Sequence, residues 1–505
     1  MLSIEQVYRH DEWWDKLNFS QLERDVRRLQ GRIYGASKKG DMKGVRNLMK
    51  LLVKSESVKL FAIYLITQKN EGRKTPGIDD KSYLTAKERM KLSKEKFDYR
   101  AYRFQPVLRK YIPKTGGNWR SKRYHRRRAK LDKVKLRPLG MMTIKDRVMT
   151  TIISFALTAK WEAILEPNVM GFRPGRCTQD AMKRIYYELD GKDRVIFDAD
   201  LSGFFDNIKH DAISGKLHEF FRVVLRCLRA GIIEKGKLHE TMKGIVQGNP
   251  ISPVLANIAL HGLQELFGAY LKEGLYILPK YRRGYNKDVC VVRYADDFII
   301  TAPSKSTLER WVLPKLRKFL DVRGIQLNED KTKITTKKDG FNFLGFTIEQ
   351  PRRKLYMKPQ GEKIKKFLNR LKEIVWSNKQ MEQKKLIRKL NPVLRGWAMY
   401  YRYSDANRAF EIVDYELWKL LWRWSKRRHP HRGKKWILNK YFGKLGEVNW
   451  LFRDEKTGYS LIQVVNIKRL KYKFVVGTLS PYDPNPKVKK VWEKKGYVDI
   501  RHAMI

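Results

Sequence analysis

The sequence predicts an α+β chain, helical at both ends and mixed in the middle. Three observations lead there. Apolar residues recur at three- and four-residue spacing through Gln21–Leu29 and again through Val45–Leu52, as one face of a helix requires. Short β-branched and aromatic runs, Val195-Ile196-Phe197 and Val291-Val292, read as buried strands within the segment from about 80 to 350. Beyond Pro351 the helical spacing returns, with Ile364, Phe367, Leu368, Leu371 and Val375 on one stripe. In chain order, residues 1–75 are predicted helical and Thr75-Pro76-Gly77-Ile78-Asp79-Asp80 is the turn that closes them. Helices and strands then mix, with Phe343–Ile348 as a further strand. A second helix of the terminal part starts near Glu382, and a third lies around Tyr415–Trp424. Shorter elements rich in Lys, Trp and Tyr follow from 429.

The most informative stretch is Val291-Val292-Arg293-Tyr294-Ala295-Asp296-Asp297-Phe298-Ile299-Ile300. Its flanks read as strands, so the two adjacent carboxylates sit at the tip of a hairpin. Side-by-side aspartates repel each other, and outside a solvated loop a bound divalent cation is the usual reason to tolerate that. A further aspartate ends the strand Val195-Ile196-Phe197, as Asp198 or Asp200. The two are two residues apart and share a face if the strand is regular. Carboxylates delivered from separate strands suit two metal ions bridging the attacking and leaving oxygens of a phosphoryl transfer. Asp206 reads instead as a first-turn acid of the next helix.

Charge narrows the partners. Lys and Arg total 109 against 53 Asp and Glu, an excess of 56 positive charges spread over 505 residues. Such a chain repels itself and is complementary to a polyanion, for which nucleic acid is the natural candidate. No apolar run approaches the roughly 18 residues that span a bilayer, so no membrane partner is expected. Cys177, Cys227 and Cys290 are far apart, which argues against structural zinc and against a disulfide framework. His429 and His431 lack a third nearby ligand and read as surface bases. The N-terminus has no signal-peptide pattern, so an intracellular setting is expected, a bacterial cytoplasm or an organelle interior. One run, Arg120-Ser121-Lys122-Arg123-Tyr124-His125-Arg126-Arg127-Arg128, interleaves aromatics with cations and suits contact with RNA phosphates and bases.

The order of short blocks resembles a group II intron-encoded reverse transcriptase of the maturase type. The blocks are Arg137-Pro138-Leu139-Gly140, Gly171-Phe172-Arg173-Pro174-Gly175-Arg176, Asp200 to Ile208, Gln247-Gly248-Asn249-Pro250-Ile251-Ser252-Pro253 with Leu255-Ala256-Asn257-Ile258, and Tyr294-Ala295-Asp296-Asp297. After them come Leu327 to Lys333, Phe343-Leu344-Gly345-Phe346, and Leu390 to Trp397 with Tyr400-Tyr401. The resemblance implies a right-hand polymerase. Its expected parts are a helical extension (1–75), fingers and palm (76–350), a helical thumb or maturase domain (351–428) and a small basic DNA-binding domain (429–505). It implies RNA-directed DNA synthesis from dNTPs, with two Mg²⁺ held by Asp200, Asp296 and Asp297 and with Lys331 protonating the leaving pyrophosphate. Lys114 and Arg137 would flank the triphosphate, Phe205 would exclude a 2′-hydroxyl, and Gln247 and Gly248 would lie against the nucleotide. Phe343, Leu344, Gly345 and Phe346 would grip the primer end. Arg120, Lys122, Arg123, Arg126, Arg127 and Arg128 would contact RNA.

The implied partners are a structured intron RNA, target DNA and an RNA template with a DNA primer. The implied function joins polymerisation to assisted splicing and intron mobility. A domesticated relative in repair or antiviral defence, or a splicing-only factor, stays open, although intact aspartates argue against the latter. The sequence departs from the pattern at Asp80, where glycine is usual, at Cys177 and Gln179, and in the long basic insertion between Lys114 and Arg137. With no cysteine after Cys290, the family's Cys- and His-rich endonuclease is not expected.

Overall fold

The computed structural model describes residues 13–113, 136–217, 220–272, 275–278, 288–446 and 448–496. Lys114 and the run Arg120, Lys122, Arg123, Arg126, Arg127 and Arg128 lie outside the described residues. The structure mixes α and β elements and divides into two compact units.

The first unit takes the described residues of Met1–Arg184, Phe197–Lys333 and Phe474–Ile505. Its centre is the helix Ile144–Glu162, buried nearly all round, which the charge-free stretch from Val148 to Ala159 permits. Thr143 starts it by accepting from the Asp146 amide at 3.0 Å. The helices Phe19–Lys38, Met42–Lys54 and Glu56–Tyr64 pack against it, and Asn18 and Asp41 cap the first two. A four-stranded sheet runs in the order Leu136–Met141, Val107–Pro113, Ile232–Glu234, Lys237–His239. Another sheet sets Asp297–Ala302 beside Cys290–Tyr294 and the strand stretch 197–199. Phe197, Val291, Val292, Phe298, Ile299 and Ile300 are its buried core.

The second unit takes Ile185–Ile196 and Ile334–Lys473. The strand expected over Phe343–Ile348 is instead two, Phe341–Phe343 and Phe346–Glu349, paired antiparallel. Leu344 (φ 48°) and Gly345 (φ 83°) reverse the chain between them, as a two-residue hairpin turn requires. Helices Gly361–Ser377, Gln383–Tyr401 and Asn407–Arg428 follow. Their core includes Phe367 stacked on Trp397 at 4.5 Å between centroids, a contact worth about 0.5–1.5 kcal/mol beyond its buried area. The segment expected as one basic domain from 429 onward is shared: 429–473 belongs to this unit, 474–496 to the first. Among the described residues no helix is long and apolar enough to cross a membrane.

Candidate active site

The two strands around the aspartate pair form a hairpin in which Tyr294 faces Asp297, leaving Ala295 and Asp296 as the turn. Ala295 adopts φ 59°, a left-handed conformation that glycine takes freely and alanine does not. Something must hold it there. Gly171 presses on the turn so closely that a Cβ at 171 would fall 2.2 Å from the Ala295 nitrogen. The backbone of this segment is laced to the hairpin strand: the Arg293 amide donates to Asn168 O at 3.0 Å and the Met170 amide to Arg293 O at 2.8 Å. Asn257, from the helix Ser252–Ala259, donates to Gly171 O and accepts from Arg293 Nη1, both at 3.0 Å. Arg293 Nη1 also donates to Ala295 O at 3.2 Å. Three sequence blocks distant along the chain therefore meet beneath one turn.

The ground under that turn is ionic and dry. Arg293 and Glu166 are fully buried. Burial would raise the Glu166 carboxyl, but bonds from His261 and the Gln264 amide, with the Arg293 charge, hold it at about 2. Burial in turn brings Arg293 down to about 10, against the pull of Glu166. Both stay charged at neutral pH, so the turn rests on a fixed positive group.

Above it, four carboxylates, Asp198, Asp200, Asp296 and Asp297, feel one another's charge. Asp200 lies just past the end of Val195–Ala199. Asp297 is exposed at the surface, yet the packing around it and then the charges of Asp296, Asp200 and Asp198 push it up to about 7. Burial and Asp200 also raise Asp296, against Arg137 and Arg293. Burial and Asp200 bring Asp198 to about 6. Lys331 sits on Asp200, Nζ to Oδ2 at 2.8 Å. Hard carboxylate oxygens in mutual repulsion have the chemistry that a hard divalent cation relieves. The ligand set is not closed in this arrangement: among the described residues no three His, Cys, Asp or Glu are grouped so as to hold a metal ion.

The other nucleotide-site candidates of the first unit fall on its remaining elements. Phe205, in the short helix Phe204–Asn207, is half-buried, edge-to-face with Phe204 at 5.2 Å and with Phe172 at 6.3 Å. Gln247 O accepts from the Gly140 amide at 2.8 Å, which fixes the Gln247-Gly248 turn on the strand Leu136–Met141. Gly248 has φ 99° and would strike Leu139 with a Cβ, so both conformation and space call for glycine. Arg137 is exposed on that strand, and its charge reaches Asp296. Sequence reasoning gave no role to Phe172, Arg293 or Asn257, each of which lay inside a quoted block.

In the second unit the Phe343–Phe346 hairpin is tied by its carbonyls. Tyr400 Oη donates to Leu344 O at 2.9 Å, Tyr401 Oη to Gly345 O at 3.2 Å, and the Gln360 amide to Gly345 O at 3.0 Å. The two tyrosines quoted from sequence thus hold the hairpin tip, and Phe346 packs on both rings.

Comparison with known proteins gives the families whose sequences match this chain. The family described as reverse transcriptase (RNA-dependent DNA polymerase) matches residues 112–348, the N-terminal domain of reverse transcriptase matches 14–95, and the group II intron maturase-specific domain matches 364–442. The chain is 29% identical over 364 residues to the group II intron-encoded protein LtrA of Lactococcus lactis, a match covering 61% of this chain and 58% of that protein. It is 27% identical to protein YkfC of Escherichia coli, over 66% of this chain and 92% of that one. It is 26% identical to maturase-like protein 1 of Euglena gracilis, over 75% of each. The chain thus spans a little over half the length of LtrA.

Proposed function

We propose that this chain, which belongs to the group II intron-encoded reverse transcriptases, copies RNA into DNA at the Asp200–Asp296–Asp297 site and binds structured intron RNA as a maturase. The observation that supports the reading is the hairpin tip, where Asp296 and Asp297 feel the charge of Asp200 and the turn rests on the buried Arg293. Asp200, Asp296 and Asp297 would hold two Mg²⁺, which when bound lower the pKa of a primer 3′-hydroxyl and offset charge developing on the phosphates.

The chain's own groups do the rest. Arg137 draws the triphosphate toward the turn. The Gln247-Gly248 backbone, free of a Cβ at 248, lies against the nucleotide. Phe205 fills the space a 2′-hydroxyl would need. Lys331, released from Asp200 as the site fills, has the ammonium proton to hand to the leaving pyrophosphate. Positioning of this kind supplies much of the acceleration in phosphoryl transfer.

In this reading the chain is a right-hand polymerase, with fingers and palm over 76–350 and a thumb over 351–428. The Phe343–Phe346 hairpin steadies the primer end. Arg120 to Arg128 and the basic residues after 429 contact intron RNA and target DNA. Lys114 would join Arg137 at the triphosphate. The test is extension of a DNA primer on an RNA template. Asp296→Ala should abolish it with RNA affinity little changed, and Asp198→Ala should be milder than Asp200→Ala. A more severe Asp198 variant would move the first ligand back by two residues.

A further inference from the structure

We propose that Phe172 is a specificity-determining residue, a second wall that sets the Phe205 ring against the nucleotide sugar. The inference rests on the reading of Phe205 as the group that excludes the 2′-hydroxyl.

Three observations converge on Phe172. Its backbone has φ 59°, a region that bulky side chains rarely occupy, yet its ring is not buried to compensate, being 37% exposed. Strain of this kind persists where the surroundings over-determine it, and it collects at functional sites. Here the surroundings do so on both sides. On one side Gly171 is wedged against the Ala295 nitrogen. On the other, buried Arg173 makes a two-pronged pair with Glu162 at 2.9 and 2.8 Å and donates to Val169 O at 3.0 Å. Arg176 donates to the carbonyls of Val476 at 2.8 Å and Leu479 at 2.6 Å, with Trp492 over its guanidinium.

The third observation is where the ring goes. It meets Phe205 edge-to-face, 76° between planes, while Phe204 meets Phe205 from elsewhere at 78°. The Phe205 carbonyl is pinned by the Ile245 amide at 2.6 Å. Phe205 therefore meets two rings edge-to-face, one from its own helix and one from the loop that supports the Ala295-Asp296 turn. A packing residue would be buried and relaxed, whereas Phe172 is exposed, strained and aimed at Phe205. Without the Phe172 ring, Phe205 gains room to swing away from the sugar, and a ribonucleotide fits.

The experiment measures the ratio of kcat/KM for a dNTP to that for the matching rNTP on an RNA template. The proteins are the wild type, Phe205→Ala, Phe172→Ala, Phe172→Gly, Phe172→Tyr, and Phe172→Ala combined with Phe205→Ala. Phe172→Ala and Phe172→Gly should each lower the ratio about three- to tenfold, the scale of one edge-to-face contact. Phe172→Tyr should keep it, and the double variant should show no loss beyond Phe205→Ala alone. A merely structural role would slow both nucleotides alike and leave the ratio unchanged. Glycine suits the left-handed backbone, so an effect seen with alanine but not glycine would reflect strain and overturn the proposal. A ratio unmoved by both Phe172 variants, with Phe205→Ala lowering it, overturns the inference alone. A ratio unmoved by Phe205→Ala overturns the reading of Phe205 and this inference with it.

Discussion

Gly171→Ala should disable polymerisation while leaving most of the fold intact. The added Cβ would lie 2.2 Å from Ala295 N and 2.8 Å from Tyr294 C, both backbone atoms of the hairpin that carries Asp296 and Asp297. Ordinary heavy-atom contact is about 3.5 Å, so loop and turn must separate by roughly 1 Å. Neither partner is free to give. The loop is tied to Asn257 through Gly171 O, and the turn to Arg293 through Ala295 O. Overpacking of this kind costs about 1–3 kcal/mol of stability. The catalytic effect should be larger, because Asp296 follows Ala295 directly and a misplacement of about 1 Å costs on the order of 10²-fold in rate. The assay is single-turnover primer extension alongside thermal unfolding. Gly35→Ala is the control: nothing lies within 4 Å of its Cβ, and alanine in the helix Phe19–Lys38 should stabilise by about 0.8–1 kcal/mol. Extension by Gly171→Ala at the wild-type rate would refute the argument that this contact positions the turn.

Stability should carry a pH signature of the crowded carboxylates. Asp297 is raised to about 7 and Asp198 to about 6, so the folded state binds protons that the unfolded state has released. Their contribution is complete below the ordinary aspartate range and is lost as pH rises through 6 and 7. Unfolding midpoints measured from pH 4.5 to 8 without divalent cations should show this decline. Asp297→Asn should flatten it, and added Mg²⁺ should offset it most at the high end. Tyr400→Phe removes the bond to Leu344 O and should cost about 0.5–1.5 kcal/mol, with shorter extension products if the hairpin steadies a primer. RNA affinity should fall steeply with salt, since each phosphate contact contributes a slope of about −0.7 to −0.9. A slope shallower than about −3 would mean that most of the 56 excess charges face solvent.

The sequence disclosed the parts of this protein that depend on local pattern. The short β-branched and aromatic runs on either side of two aspartates announced a hairpin, and the hairpin is there. The spacing of Phe367, Leu371 and Val375 marked a helix face, and all three are buried. What stayed hidden depends on tertiary approach. Nothing local to Gly171 says that its Cα hydrogens face Ala295 N, and nothing local to Asn257 says that it bridges Gly171 and Arg293. Lys331 was legible as a cation near the site, but not as the ion-pair partner of Asp200. Phe343–Ile348 read as one strand because it is apolar throughout, and the turn is set by the left-handed Leu344 and Gly345. The end of the chain read as uniformly basic, yet Val475, Val488 and Trp492 form an apolar cluster that only packing reveals.

The central claim is that Asp200, Asp296 and Asp297 are one divalent-cation polymerase site. The most direct measurement is a Mg²⁺ titration of RNA-templated primer extension, run on the wild type, Asp200→Ala, Asp296→Ala and Asp297→Ala. The wild type should show a saturable rise in extended product and each variant none at any Mg²⁺ concentration, with all four proteins binding RNA alike. Metal-dependent extension at the wild-type rate by any one of the three variants would contradict it.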